Sequence, residues 1–128
     1  MSHKPVQAAN LPKPVGPYAP GMGFDRLIFV SGQGATDPAT GKIVSDDVGQ
    51  QTEQCLKNVQ AILKAGGSDL QHVLRCGVFL IDMTQFPNMN AAYSRMFGDH
   101  RPARTTIQAA DLPGEGLRVE IDCIAYVP

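Results

Sequence analysis

Two charged side chains in the C-terminal part of the chain have types that could perform acid–base chemistry on a small carboxylate. Arg104 stands in residues 100–107 and Glu120 in residues 117–122, two runs of strand-like composition. A guanidinium can bind a planar carboxylate through two hydrogen bonds, and a neighbouring Glu can orient or deprotonate water. These residues predict a site that holds a carboxylate beside an activated water. The alternative interpretation is a cross-strand ion pair with a structural role.

Both side chains are predicted to lie on strands. Pro102 biases the residue before it towards an extended backbone, so a strand is expected to begin near Ala103, with Arg104 at its opening edge. Residues 117–126 alternate between apolar and mostly polar side chains, with Glu120 on the polar face. Residues 112–116 contain one proline and two glycines and predict a reversal. The two strands are therefore expected to pair antiparallel.

The composition indicates one domain with its own core, spanning residues 1–128. Hydrophobic residues make up 43% of the chain and charged residues 18%, below the roughly 25% of an average soluble protein. Low charge favours loss of surface to a partner or to self-association. The formal net charge is −1, so no basic excess points to nucleic acid. No run has the length or pattern of a membrane span or a signal peptide, and a cytoplasmic protein is expected.

Cysteine and histidine give no sign of a metal site. Cys55, Cys76 and Cys123 each lie in an apolar pattern and form no C-x-x-C pair, which predicts buried free thiols in a reducing compartment. The three histidines are scattered, without metal-ligand spacing. Neither a metal nor another cofactor is expected.

The other elements follow from apolar periodicity and turn residues. A proline-rich arm over residues 1–17 precedes two strands, within residues 18–24 and 27–32. A helix follows, capped within residues 45–47 and ended by glycines 66 and 67. A strand at 73–81 leads to a second helix, which begins after Thr84 and ends at Gly98. The predicted order is β-β-α-β-α-β-β.

The strand at residues 73–81 is apolar on both predicted faces. One face carries Val73, Phe79 and Ile81, and the other carries Leu74, Cys76, Val78 and Leu80. Both faces are therefore expected to be buried. Since two helices cover only one face of a small sheet, another subunit is expected to cover the remaining face.

Several polar positions carry weaker signals, each with a simpler structural interpretation. Gly32 lies in a Gly-Gln-Gly run that could let backbone approach a ligand, although it matches no nucleotide-binding fingerprint. Ser31 and Thr106 have no histidine placed to activate them, so no hydrolase triad is predicted. Tyr18 is most simply a core or interface aromatic, and Asn90 a solvated polar residue.

Taken in order, short segments along almost the whole chain resemble the RidA/YjgF family of small enamine/imine deaminases, the L-PSP-like proteins. No single segment is specific to this family, but the whole set in this order is. The segments are Gly16-Pro17-Tyr18, Ser31-Gly32-Gln33, Gln51-Thr52 with Asn58, Asn90-Ala91-Ala92-Tyr93, Pro102-Ala103-Arg104, Leu112-Pro113 and Val119-Glu120-Ile121.

The resemblance implies a chorismate-mutase-like α+β fold, with two helices packed on one face of the sheet and three chains assembled as a homotrimer with clefts between subunits. The implied activity is that of a 2-iminobutanoate/2-iminopropanoate deaminase, which hydrolyses reactive 2-enamino and 2-imino acids to 2-oxo acids and ammonia. An imine carbon is electrophilic enough for water to attack it, so this chemistry requires no covalent nucleophile, metal or other cofactor.

The resemblance also implies roles for single residues. Arg104 would grip the substrate carboxylate and Glu120 would hold the water. Five further residues would line the pocket: Tyr18, Ser31, Gly32, Asn90 and Thr106. Thr106 stands where relatives often carry a cysteine, while Ala19-Pro20 and Gly34 also depart from the family pattern. These departures bear on substrate preference more than on chemistry.

Two other functions remain open on the sequence alone. One is a non-catalytic module that binds 2-oxo acids or has a regulatory role, which Ala19-Pro20 and Gly34 favour. The other is an endoribonuclease or translation inhibitor, an activity attached to relatives. The near-neutral charge and the absence of a histidine pair weigh against the nuclease.

Overall fold

The computed structural model describes residues 2–128, which fold into a mixed sheet and two α-helices. The strands are β1 (Lys4–Val6), β2 (Gly21–Phe24), β3 (Leu27–Gln33), β4 (Thr36–Asp37), β5 (Lys42–Ile43), β6 (Val73–Leu80), β7 (Ala103–Gln108) and β8 (Val119–Tyr126). The helices are α1 (Val48–Ala65) and α2 (Phe86–Phe97). This is the predicted α+β class. Within the described residues, no helix is both long and apolar enough to cross a membrane.

The main sheet has six strands in the order β1-β2-β3-β8-β6-β7, and β4 pairs with β5 separately. Neighbours run antiparallel except β6 and β7, which are parallel. The predicted antiparallel pairing of β7 with β8 is wrong, because β6 lies between them. The connection over residues 109–118 is long enough to carry the chain across β6, whereas its proline and glycines suggested a tight hairpin.

Helix α1 begins and ends as its sequence predicts. The Asp47 carboxylate accepts a hydrogen bond from the Gln50 amide, which satisfies one of the free donors of the first turn. Lys64 lies in the last turn and Gly66 is the C-cap. The buried face of α1 carries the predicted apolar stripe and two buried amide side chains, Gln51 and Asn58.

Strand β6 contains an irregularity that the alternation of its sequence does not reveal. Val73 pairs with Ala125 and Arg75 with Ile124, so Leu74 is an extra residue opposite β8. Val73 therefore lies in the core with Cys76, and Leu74 is 47% exposed. The predicted faces of Val73 and Leu74 are wrong for this reason.

Both helices pack on the same face of the sheet. That face forms the core, in which α1 and α2 bury side chains against alternate residues of β3, β6 and β8. The opposite face has no helix, and it carries Phe29 at 44% exposed and Ile107 at 47% exposed. The single chain thus leaves uncovered a sheet face that carries exposed apolar side chains.

Candidate active site

Arg104 lies on the helix-covered face of the sheet, where aromatic rings hold its guanidinium. It pairs in register with Cys76, whose side chain is in the core. The guanidinium carbon lies 4.8 Å from the ring centre of Tyr93 and 5.5 Å from that of Phe86, both on α2. Nη1 lies 4.0 Å from the sulfur of Met89. Cations are attracted to ring faces at these distances.

The edge of the Arg104 guanidinium remains free to bind an anion. No carboxylate within residues 2–128 forms an ion pair with it, since the ion pair found there joins Lys57 and Glu53. A planar guanidinium held by ring faces keeps its N–H groups available at its edge, where they match a planar carboxylate. The local geometry therefore favours an anion site at Arg104.

A depression of about 300 Å³ opens beside this guanidinium, and we call it the Arg104 pocket. Its lining consists of Asn90, Tyr93, Ser94, Arg101, Pro102 and Arg104. The second cation, Arg101, is already engaged: it donates to the carbonyl oxygens of Gly98 and His100 and to Ser94 Oγ. Of the two arginines in this pocket, Arg104 is the one whose guanidinium donates to no protein oxygen within residues 2–128.

Tyr93 contributes its ring to this pocket rather than an ionisable group. Burial raises the pKa of the Tyr93 hydroxyl, because the phenolate is poorly solvated there. The tyrosine therefore stays neutral near pH 7 and acts as a packing surface for Arg104.

Glu120 lies on the opposite, helix-free face of the sheet. It pairs with Phe79 on β6, three positions along from Cys76 and thus on the other side of the strand. Gly32 packs against its carboxyl group: a Cβ added at Gly32 would lie 2.8 Å from Cδ and Oε2 of Glu120. Burial and the negative charge of Asp122 raise the pKa of Glu120. This carboxylate can therefore accept a proton more readily than an ordinary surface glutamate.

A cavity of about 160 Å³ lies next to Glu120, and we call it the Glu120 pocket. Tyr18, Gly32, Gly34, Leu117 and Glu120 are among its lining residues.

Ser31 precedes the pocket residue Gly32 in the chain, and its hydrogen bonds hold the segment that follows Tyr18 in place. Ser31 Oγ donates to the Ala19 carbonyl oxygen at 2.7 Å, and the Ser31 amide donates to the Pro20 carbonyl oxygen at 2.9 Å. The Tyr18 hydroxyl accepts from the Val15 amide at 3.2 Å. The Ser31 hydroxyl is thus engaged in holding backbone.

The residues predicted for one site thus fall into two groups on opposite faces of the sheet. Tyr18, Gly32 and Glu120 line one pocket, and Asn90 and Arg104 line the other. Thr106 points to the same face as Arg104, in register with Val78, but it does not line the Arg104 pocket. Within one chain Arg104 and Glu120 do not meet, so neither the expected single site nor the alternative ion pair forms there.

Two supporting groups were not recognised as site residues from the sequence. The rings of Phe86 and Tyr93 contact the Arg104 guanidinium, but the helical spacing of these residues had assigned them to the core. Gln51 and Asn58 anchor the walls of the Glu120 pocket: Asn58 Nδ2 donates to the Gly34 and Thr36 carbonyl oxygens, and Gln51 Nε2 donates to that of Gly116. Polar residues within the buried stripe of α1 were the available signal for this role.

The three cysteines are buried and free, as predicted. Burial raises the pKa of the Cys76 thiol to about 11 and raises the pKa values of Cys55 and Cys123 as well. All three remain protonated near pH 7 and are poor nucleophiles in this state.

Comparison with known proteins gives consistent matches over nearly the full length. The family model described as endoribonuclease L-PSP matches residues 8–127. The RutC family protein PH0854 of Pyrococcus horikoshii is 43% identical over 117 residues, which cover 91% of this chain and 92% of that protein. The human 2-iminobutanoate/2-iminopropanoate deaminase is 39% identical over 120 residues, covering 94% and 87%. The structure of E. coli TdcF with bound serine matches with a TM-score of 0.90 at 33% identity, covering 96% and 98%.

Proposed function

The chain belongs to the endoribonuclease L-PSP family, that of the RidA/YjgF deaminases, and from this premise we propose that it hydrolyses small 2-imino acids to 2-oxo acids and ammonia. The human relative described above and a mouse relative of similar identity are both named 2-iminobutanoate/2-iminopropanoate deaminases. A solved relative holds serine, an amino acid with a carboxylate. The proposal extends this substrate class to the present chain.

The observation that carries the proposal is the free edge of the Arg104 guanidinium. Its carbon lies near two ring centres, one of its nitrogens contacts a thioether, and no acid within residues 2–128 forms an ion pair with it. A 2-imino acid presents a planar carboxylate next to its reactive carbon. Binding that carboxylate at Arg104 fixes the position and orientation of the imine, and such positioning is a large part of catalysis.

We assign to Glu120 the role of moving protons to and from the attacking water. The raised pKa of Glu120 makes it a better proton acceptor than an ordinary glutamate, which suits a residue that takes up and returns a proton. In the first step the water oxygen bonds to C2, and Glu120 passes one water proton to the imine nitrogen, which gives a carbinolamine. In the second step Glu120 takes the hydroxyl proton and delivers it to the nitrogen. The C2–N bond then breaks, ammonia leaves, C2=O forms and the carboxylate is regenerated.

The two pockets can form one site only between different chains, so we also propose a homotrimer. Each Arg104 pocket would face the Glu120 pocket of a neighbour, and a head-to-tail ring of three would repeat this cleft three times. The uncovered apolar face around Phe29 and Ile107 supports the assembly, because monomers rarely leave such a surface in water. Light scattering should give three times the 13.7 kDa chain mass, and a monomer at micromolar concentration would reject the trimer.

The activity is tested by coupling a serine or threonine dehydratase to this protein and following the decay of the imine. The expected result is faster decay than in buffer, with stoichiometric 2-oxo acid and ammonia. Arg104→Ala should abolish the acceleration and weaken binding of a 2-oxo acid product. Binding of 2-oxo acids without any acceleration would contradict the deaminase and support a binding module.

A further inference from the structure

The helix-free face of the main sheet carries charged side chains for which the proposed chemistry has no use. Within residues 2–128, the charged residues on the strands of this face are Arg75 on β6 and Glu120 and Asp122 on β8. Arg75 precedes the core residue Cys76, and Asp122 is two residues from Glu120, so strand alternation places all three on this face. Glu120 belongs to the proposed active site. Arg75 and Asp122 remain to be explained.

The contacts of Arg75 and Asp122 direct their charged groups away from each other. Arg75 Nη2 donates to Oγ1 of Thr105 on β7 at 3.0 Å. Oδ1 of Asp122 on β8 accepts from the Gly77 amide on β6 at 2.9 Å. Since β6 lies between β7 and β8, the guanidinium is turned towards β7 and the carboxylate lies on the β8 side. Within residues 2–128 neither group forms an ion pair.

Gly77 allows the Asp122 carboxylate to lie across β6. A Cβ added at Gly77 would lie 2.5 Å from Oδ1 and 3.3 Å from Cγ of Asp122. The backbone does not require glycine here, because Gly77 is absent from the glycines with positive φ. The carboxylate is thus held in a defined position on the helix-free face, and within residues 2–128 its second oxygen accepts no hydrogen bond.

Both groups need a partner once this face is covered. In the single chain Arg75 is exposed and Asp122 is half-buried, so water can solvate them. Burying an unpaired charge in an interface is strongly unfavourable, and a buried charge is therefore paired. Each chain offers one cation and one anion of this kind. In a ring of identical chains, the cation of one chain can meet the anion of the next at every contact.

We infer that Arg75 forms an ion pair with Asp122 of the partner subunit, so that this face recognises a second copy of the chain by charge as well as by apolar contact. The inference rests on the proposed homotrimer, in which the pair occurs three times. The remaining N–H groups of the guanidinium match the open oxygen of a carboxylate. A charge pair within an apolar contact fixes how the two surfaces align, whereas Phe29 and Ile107 supply contact area.

Charge reversal at either position tests the contribution of this pair to assembly. Arg75→Glu and Asp122→Lys each place like charges at every contact between chains. Each should raise the protein concentration at which the trimer dissociates at least about thirtyfold, the lower end for losing one partner of a buried charge pair. Analytical ultracentrifugation measures this concentration. Lys57→Glu and Glu53→Lys are the matched controls, because they reverse exposed charges on α1 and should leave assembly unchanged.

A mixture of the two variants separates pairing between chains from pairing within one chain. In a mixed ring of three, two of the three contacts again join opposite charges. Native mass spectrometry should therefore detect mixed trimers at a concentration where each variant alone is dissociated. With pairing inside one chain, both kinds of chain keep like charges and the mixture stays dissociated. The double variant Arg75→Glu/Asp122→Lys should also form a trimer, which excludes misfolding as the cause of dissociation.

Two results would overturn the ion pair and leave the proposed trimer standing. One is a trimer whose dissociation neither Arg75→Glu nor Asp122→Lys changes, and the other is a mixture of these variants that stays dissociated. A wild-type chain that is monomeric at micromolar concentration would instead reject the trimer itself, and the ion pair with it.

Discussion

At the scale of single residues, Arg104 and Glu120 owe their properties to neighbours that carry no opposite charge. The rings of Tyr93 and Phe86 lie against the Arg104 guanidinium, and no carboxylate within residues 2–128 pairs with it. Gly32 lets backbone approach Glu120, and burial together with Asp122 raises the pKa of that carboxylate. Both groups are thus kept unpaired, which costs stability and leaves them available to a substrate.

The ring of Tyr93 should position Arg104 independently of its hydroxyl. Tyr93→Phe keeps the ring face, so KM should stay close to the wild-type value. Tyr93→Leu removes the face, and KM should rise about 2- to 30-fold, the range expected for one cation–π contact, with a smaller change in kcat. Met96→Leu is the control, because Met96 lies on the same helix and packs against the core but is not among the side chains that contact the Arg104 guanidinium. A similar KM for Tyr93→Leu and wild type would contradict this role.

Glu120→Gln should lower turnover and raise stability at pH 7. Losing a general acid–base contribution slows a reaction by roughly 10²- to 10⁴-fold. The folded-state pKa of Glu120 is raised, so ionisation destabilises the folded wild-type protein as pH rises from the ordinary value of about 4.3 through the raised one. Glutamine removes this effect. Thermal unfolding should show a higher Tm for the variant at pH 7 and a difference that disappears below about pH 4.

The alternative of a structural Arg104–Glu120 ion pair predicts the opposite sign. Both Glu120→Gln and Arg104→Ala would then lower Tm, and the double variant would be little worse than either single one. A lower Tm for Glu120→Gln at pH 7 would therefore contradict the assignment of Glu120 as an unpaired carboxylate.

At the scale of secondary-structure elements, α1 fixes the loops that form the Glu120 pocket. Its buried amides, Gln51 and Asn58, bond to backbone on both walls. Their position on the core face of the helix explains why polar residues interrupt an apolar stripe. Carbonyl groups of buried loops need donors, and a helix packed beneath them can supply side-chain amides.

Asn58→Ala should therefore destabilise the protein and disturb the pocket together. It leaves the Gly34 and Thr36 carbonyl groups without their donor, which costs about 1–3 kcal/mol in the free energy of unfolding. Urea unfolding measures this change. Gln50→Ala, an exposed site on the same helix, should change stability by no more than about 0.5 kcal/mol. Equal stability of the two variants would show that the Asn58 hydrogen bonds do not contribute to the free energy of unfolding.

The helices were predictable from sequence, whereas the order of the strands was not. Asp47 and Gly66 cap α1 through contacts within a few residues, so their signals are local. The placement of β6 between β7 and β8 depends on contacts between distant residues, and so does the extra residue at Leu74. Alternation of apolar residues predicts that a strand has two faces, but neither its neighbours nor a bulge within it.

At the scale of the whole molecule, the sheet separates the two halves of the proposed site. The residue types and the resemblance to a known family both predicted Arg104 and Glu120 for one site, but the chain places them on opposite faces. No reasoning about one chain could bring them together, because their meeting depends on how copies pack. The sequence contains one indication of such packing, because the strand at residues 73–81 is apolar on both predicted faces. In the structure, exposed apolar side chains lie on the helix-free face.

The most direct test of a site shared between chains is complementation of two inactive variants. Arg104→Ala and Glu120→Gln subunits, unfolded and refolded together in equal amounts, should recover about one quarter of wild-type imine hydrolysis. Random mixing in a ring gives that fraction of clefts an intact Arg104 from one chain and an intact Glu120 from the next. As a control, Arg104→Ala mixed with the Arg104→Ala/Glu120→Gln double variant should recover nothing. Recovery near one quarter is the result predicted here, and activity no higher than that of the separate variants would contradict a site shared between chains.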